Sequence, residues 1–488
     1  MEPFALDIAA VCLVLTLAVL SNRISERLRV PAPAFFLVGA AIASDLVPAL
    51  NGLSITAVQR IVTVALVVIL FDGGMHIGMG RFRRQAGAIV WLGVAGTVLT
   101  AAALALIAHG LLGFDWRLSL LLGTALAPTD PAVVFSVLGR REIAGRSGVL
   151  LEGESGANDP VGIALLVSIL SAGTGGWGAA LDGIEVFVLQ MGVGAVVGLV
   201  GGRLLLAFIR RVPLPSEGLY PLRTLAGAGL VYGIATVAHG SGFLAVFVAG
   251  ILLGDERAPY KREIERFHAS LSSLAEIVAF TLLGLTLQVR SLPEQGIWAS
   301  GLVMAVLLAL VVRPVLVGLV LLPLRLRRRE LVFVLWAGLK GAVPVLLGTY
   351  LLTSGDPHAL RAYEIVFVVV AFSVVVQGGL VPSVAHWVGL PLRVIEPEPW
   401  SLGMRFRDEP QGLVRLHVLG GSAADGTCLE ELDMGENAWV SLVSRGGQLV
   451  QVRGDTVLAA GDEVLLLVEP PDADTVARLF TRPAPAVG

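Results

Sequence analysis

Charge is scarce in this sequence: only 15% of its 488 residues are Asp, Glu, Lys or Arg, while 55% are hydrophobic. So little charge cannot clothe a soluble body of that size. The mean hydropathy of +0.82 and many apolar runs of about twenty residues place most of the chain in a bilayer. Cysteine is nearly absent too. Cys12 sits in an apolar run and Cys428 far away in a polar one, which excludes a disulfide framework. No GxxxxGKS/T phosphate loop or phosphorylation motif is present, which excludes a nucleotide-driven pump, and the lack of a TVGYG-like filter speaks against a channel. Nor does a basic n-region precede the first apolar run or an A-x-A site follow it closely, so that run is expected to be a retained helix.

What is present is a regular series of apolar spans. Windows of about twenty residues predict thirteen, near 4–21, 31–49, 57–76, 86–111, 117–138, 147–171, 184–209, 220–238, 241–254, 267–289, 296–323, 331–353 and 363–390. The ninth is short enough to be partly re-entrant. Alternate loops, beginning at Arg23, Arg81, Arg140, Arg210, Arg257 and Arg325, each hold three or four basic residues, whereas the others hold stragglers such as Arg117, Arg290 and Arg361. Because Lys and Arg stay on the cytoplasmic side, this alternation expects the N-terminus outside a plasma (inner) membrane and the C-terminus in the cytoplasm. Beyond Pro391 stand 15 acidic and 8 basic residues, a net of −7 against −3 for the whole chain, which leaves +4 on the membrane part. The expected domains are a transmembrane body over 1–390, a Pro-rich linker over 391–411, a small α+β domain over 412–482 and a disordered end over 483–488.

Against this apolar background, the stretch LLEGESGANDPVGIALL (Leu150 to Leu166) stands out, since each ionisable group at mid-membrane costs roughly 2.5–3.5 kcal/mol and persists where it handles an ion or meets a partner. Glu154 and Asn158 share a helix face, Asp159 lies about 100° round from Asn158, and Pro160 loosens the backbone ladder beside it. GTALAPTDPAVV (Gly123 to Val134) brackets Thr129 and Asp130 with two prolines, and WAGLKGAVPVLL (Trp336 to Leu347) sets glycine and proline around Lys340. Two interrupted helices in corresponding halves are the mark of an inverted-repeat transporter with its site where they cross. Asp130 and Lys340 then compensate helix ends of opposite sign, although Asp130 could bind the ion itself and Lys340 could snorkel or hold substrate. Arg313 needs a buried anion, and Glu154 is the natural one. That pairing leaves Asp159 as a free central carboxylate. Asp72, in LFDGGMHIG, could face the cavity, while His76, His109, His239 and His358 read as solvated interface residues. An intramembrane hydrolase using Asp130 and Asp159 is a weaker alternative.

These motifs, LFDGG, APTDP, EGESGANDP, VRP and GLKGAVP, resemble the monovalent cation:proton antiporters, in the branch of sodium or potassium exchangers with an Asn-Asp pair in the sixth helix, over about residues 4–390. The resemblance implies that Asp159 alternately binds the cation and the proton, with Thr129 and Ser155 as oxygen ligands and Asp130 beside them. It further implies that Glu154 pairs with Arg313, that Asn158 stands where electrogenic relatives carry aspartate, and that Asp72 lines the entrance. Lys340 stands where many relatives have arginine. An electroneutral homodimer with no cofactor is implied. From Gly412 to Phe480 the chain is similar to the C-terminal half of RCK (TrkA-C) regulatory modules, without the Rossmann half and its GxGxxG. Such modules sense small cytoplasmic ligands, and the resemblance admits a regulatory nucleotide; they accompany potassium more than sodium transport. The expected fold is therefore an α-helical polytopic membrane protein with inverted repeats and crossed interrupted helices, followed by a small cytoplasmic α+β domain. The expected function is exchange of K+, or alternatively Na+, for H+, with an RCK-gated cation channel as the rival and no nucleic acid or enzymatic chemistry.

Overall fold

The computed structural model describes residues 31–394 and 413–481, together with Cys12 and Thr16, apart from short stretches at 48–49, 51, 139–140, 144–145, 173–175, 257, 293–295, 325, 353, 391, 436–437 and 469–472. The expected span 4–21 (those two residues aside), most of the linker 391–411 and the end 483–488 lie outside the described residues. The chain divides into two compact units, Met1–Glu396 and Pro397–Gly488.

The first unit is helical. Helix α1 (Ala32–Leu46) leads to α2 (Ile55–Trp91), which Ser54 caps by accepting from the Ala57 amide at 3.2 Å. The sequence expects a loop between the spans 57–76 and 86–111, but the turn is made by Gly78 alone (φ 65°, ψ 163°), and Arg81, Arg83 and Arg84 are already helical. Only glycine accepts that backbone readily. The Asp255 carboxylate lies against Gly78 and accepts from the Gly80 amide, capping the resumed helix. A π-turn (Leu92–Gly96) joins α2 to α3 (Thr97–Leu112), and Asp115 then caps α4 (Trp116–Leu126) through the amides of Arg117 and Leu118.

The fifth expected span is interrupted as anticipated: α4 stops at Leu126 and α5 (Ala132–Leu138) resumes after the prolines. Strand β1 (Arg141–Ile143) follows, then α6 (Arg146–Ser171), α7 (Gly176–Arg211), α8 (Leu219–Val237) and α9 (Gly242–Gly254). The short ninth span is a complete helix, capped by Ser241 and buried along most of its length. It fits because small residues let backbones touch: a Cβ on Gly250 would strike the Phe71 carbonyl, and one on Gly198 would strike Ala245. Next come α10 (Lys261–Leu285) and α11 (Ile297–Leu307), which runs on through a ten-residue π-helix (Leu308–Val317) into α12 (Gly318–Leu321). The twelfth expected span is again split, into α13 (Arg328–Trp336) and α14 (Ala342–Leu351). It is followed by α15 (Ala359–Phe372), a π-turn (Ser373–Gln377) and α16 (Val381–Val388). Strand β2 (Leu392–Val394), within the expected linker, pairs antiparallel with β1. Among the described residues, five helical runs are long and apolar enough to cross a membrane unaided, and the shorter apolar helices include α1, α4, α9 and α14.

The second unit is a four-stranded antiparallel sheet in the order β3 (Leu413–His417), β6 (Glu463–Val468), β4 (Ala438–Arg445), β5 (Gln448–Val450), with α17 (Ala473–Thr481) after it. Alternation along β6 turns Val464, Leu466 and Val468 onto a core completed by Val443, Leu458, Val476 and Phe480. Arg445 grips Asp462 with two bonds of 2.8 and 2.7 Å and holds its carboxyl below the usual carboxylate range.

Candidate functional site: the crossing of two broken helices

Each helix break frees backbone amides and carbonyls that a bilayer cannot solvate, so their partners must be found within the protein. Those partners are the charged residues singled out in the sequence. At the C-terminal end of α4, the Lys340 ammonium donates to the carbonyls of Ala127 and Pro128, both at 2.9 Å. At the start of α5, the Asp130 carboxylate accepts from the Ala132 amide at 2.9 Å, and it also faces the Ala342 amide that opens α14. A single carboxylate thus stands at the positive ends of both resumed helices, and a single ammonium at a negative end. The Asp130 amide donates to the Leu339 carbonyl at 2.8 Å, tying the two breaks together.

Arg313 serves the remaining negative end. The π-helix around Pro314 places its buried side chain so that Nε donates to the Leu335 carbonyl (2.9 Å) and Nη2 to the Val334 carbonyl (3.2 Å), at the end of α13. The same guanidinium holds Glu154 of α6 in two bonds of 2.8 and 3.1 Å. Glycine is required beside both charges: a Cβ on Gly338 would overlap the Arg313 guanidinium, and one on Gly341 the Asp130 carboxylate.

On α6, Asn158 donates to the Thr129 hydroxyl at 2.7 Å, and that hydroxyl lies 3.5 Å from Glu154 Oε1. Ser155 is buried on the same helix. Asp159 is only 7% exposed, with Asp130 and Lys340 as its near charges, and its Oδ1 has no hydrogen-bond partner among the described residues. The structure therefore brings Thr129, Asp130, Glu154, Ser155, Asn158, Asp159, Arg313 and Lys340 together. Asp72 is set apart on α2, buried, with His76 at 3.5 Å.

Neutral and isolated polar residues escaped the sequence reading. Ser373 accepts from the Lys340 amide (2.9 Å), and Gln377 and Trp336 exchange two hydrogen bonds that satisfy the last carbonyl of α13. His268 is fully buried, with Nε2 against the Thr224 hydroxyl at 2.8 Å. Glu276, a lone acid in the apolar half of α10, was the one readable signal.

With this geometry in place, comparison with known proteins is decisive. The sodium/hydrogen exchanger transmembrane family matches residues 12–387, and the TrkA-C domain matches 413–481. The chain belongs to the sodium/hydrogen exchanger family. A K(+)/H(+) antiporter NhaP of Alkalimonas amylolytica is 33% identical over 98% of this chain and 84% of its own length. NhaP2 of Shewanella oneidensis, also named a K(+)/H(+) antiporter, is 30% identical over 96% and 82%. The Na(+)/H(+) antiporter NhaH of Halobacillus aidingensis is 26% identical over 68% of this chain and 83% of its own. In fold, the exchanger resembles the sodium proton antiporter MjNhaP1 of Methanocaldococcus jannaschii, with a TM-score of 0.66 at 22% identity over 81% of this chain and all of that one.

Proposed function

We propose that this exchanger carries K+ in one direction and H+ in the other, the two taking turns on Asp159. One observation carries the reading: Arg313 neutralises Glu154 in a two-pronged ion pair, while Asp159, one helical turn beyond Ser155 and next to Asn158, keeps a sealed oxygen with no hydrogen-bond partner among the described residues. A buried carboxylate must be neutralised, and a proton or a cation does so equally well. Since one carboxylate holds one of them at a time, exchange is one for one and electroneutral. Thr129 and Ser155 supply neutral oxygen ligands, Asn158 positions Thr129, Asp130 and Lys340 compensate the helix ends, and Asp72 lines the route inward.

The two broken helices would belong to inverted repeats within about thirteen transmembrane helices, over a body ending near residue 390 and joined through 391–411 to a regulatory domain at 412–482. The basic loops favour an N-terminus outside and a C-terminus in the cytoplasm of the plasma (inner) membrane. We assign a homodimer, and regulation of transport by a small cytoplasmic ligand, a nucleotide among the candidates, at the TrkA-C domain. The relatives that span nearly the whole chain, tail included, are named for potassium, which favours K+; the shorter match to NhaH supports Na+ as the second reading.

Dissipation of a preset pH gradient in proteoliposomes, with the membrane potential clamped, tests this. A response to K+ over Na+ is expected. A response to Na+ alone overturns the choice of ion, and silence with both overturns exchange.

A further inference from the structure

Glu276 is an acid of the helical body outside the group gathered at the crossing. Glu276 lies in the apolar half of α10, a helix that packs against both α2 and α14. Its Oε1 is shielded from solvent and has no hydrogen-bond partner among the described residues, and the charge acting on it is that of Asp130. An acid placed there solely for structure would be expected to hold a cation or a donor, as Glu154 holds Arg313.

Its neighbours along the helix suggest another role. Glu265, Ser272 and Glu276 are spaced by seven and four residues, so they share one face of α10. Ser272 faces the Asp72 carboxylate across the α2 contact, and Glu265 is the acid acting on Asp72 from the polar end of the helix. Asp72 is 8% exposed, and its Oδ1 also lacks a hydrogen-bond partner among the described residues. Half-exposed Glu265, with Lys261 at 3.4 Å, thus begins a file that passes Asp72 and Ser272, reaches Glu276, and ends at Asp130 and Asp159. Oxygen groups strung along one face of the helix, with Lys261 beside Glu265 and His76 beside Asp72, suit a cation that sheds water in stages.

We propose that Glu276 is the intermediate carboxylate of the cation's route, holding a partly dehydrated monovalent cation between Asp72 and Asp159. This rests on the exchange reading above. The residue sets how readily the ion reaches Asp159 and leaves the turnover of the loaded carrier to the crossing itself.

The test is K+-dependent collapse of a preset pH gradient in proteoliposomes of the full chain, comparing wild type with Glu276→Gln, Glu276→Asp and Ser272→Lys. Removing a carboxylate from the route is expected to raise the apparent KM for K+ about tenfold while the maximal rate stays within about twofold. Glu276→Asp, which keeps the charge, is expected to fall between Glu276→Gln and wild type. Ser272→Lys leaves Glu276 in place but adds an ammonium one turn away, and is expected to raise KM as well, so the proposal stays testable should Glu276→Gln fail to fold. An unchanged KM in Glu276→Gln, or a fall in maximal rate alone that Glu276→Asp does not reverse, overturns the proposal. Because wild type is measured alongside, absence of exchange in wild type would instead overturn the exchange reading.

Discussion

At the scale of single residues, Glu154 and Asp159 lie five positions apart on one helix and have opposite situations. Glu154 is held by two bonds from Arg313, whereas Asp159 Oδ1 is held by none among the described residues. Their removal should therefore differ in kind. Glu154→Gln strands a buried guanidinium, and leaving one member of such a pair costs about 3–5 kcal/mol. It is expected to lower the melting temperature of the purified protein clearly, and an unshifted melt would mean that the pair contributes nothing to the fold. Asp159→Asn breaks no ion pair, so the protein should melt as wild type does while exchange is abolished; residual cation-driven proton movement would remove Asp159 from its role. In the proposed exchange the two partners compete at Asp159 because both answer the same need, neutralising one charge in a medium that tolerates none.

At the scale of elements, the two interrupted helices are the device that makes such a carboxylate usable. Backbone ends exposed by each break are matched to one charge or one amide: Lys340 to α4, Asp130 to α5 and α14, Arg313 and Gln377 to α13. Gly341→Ala puts a methyl group where the Asp130 carboxylate sits. Loss of exchange together with a lowered melting temperature is expected, and a fully active Gly341→Ala protein would show that the carboxylate is free to move. Both breaks could be read from the sequence, because proline and glycine around a lone charge in an apolar run interrupt the backbone ladder where no water can repair it. So could the pairing of Arg313 with Glu154, since buried charges have so few candidates for partners. Ser373, Gln377 and Trp336 could not, because neutral polar residues are common in membrane helices and only the tertiary fold brings them to a stranded backbone group. The one-residue turn at Gly78 and the π-helix around Arg313 were hidden for a related reason: both depend on contacts, from Asp255 in one case and from the end of α13 in the other.

At the scale of the whole molecule, a helical exchanger body and a small sheet domain answer to different physics. The helical body was legible from hydropathy, and the sheet domain from period-two alternation, with the expected runs near VRLHVL, AWVSLVSR and EVLLLVE falling on β3, β4 and β6. What alternation and hydropathy do not contain is distance, and the choice between K+ and Na+ depends on distances among oxygen ligands. Exchange on a shared carboxylate nevertheless has one signature independent of the ion chosen. If protons occupy Asp159 at the cation's expense, as proposed, the apparent affinity for the cation weakens as pH falls, by up to about tenfold per unit where the proton prevails. The most direct measurement is thus the apparent KM for K+ at a series of pH values, in clamped proteoliposomes with equal pH on both sides, with exchange followed as tracer flux. Competition for Asp159 requires KM to climb with acidification while the maximal rate at saturating K+ changes little. A KM that stays constant across the series would contradict a shared site and with it the exchange mechanism.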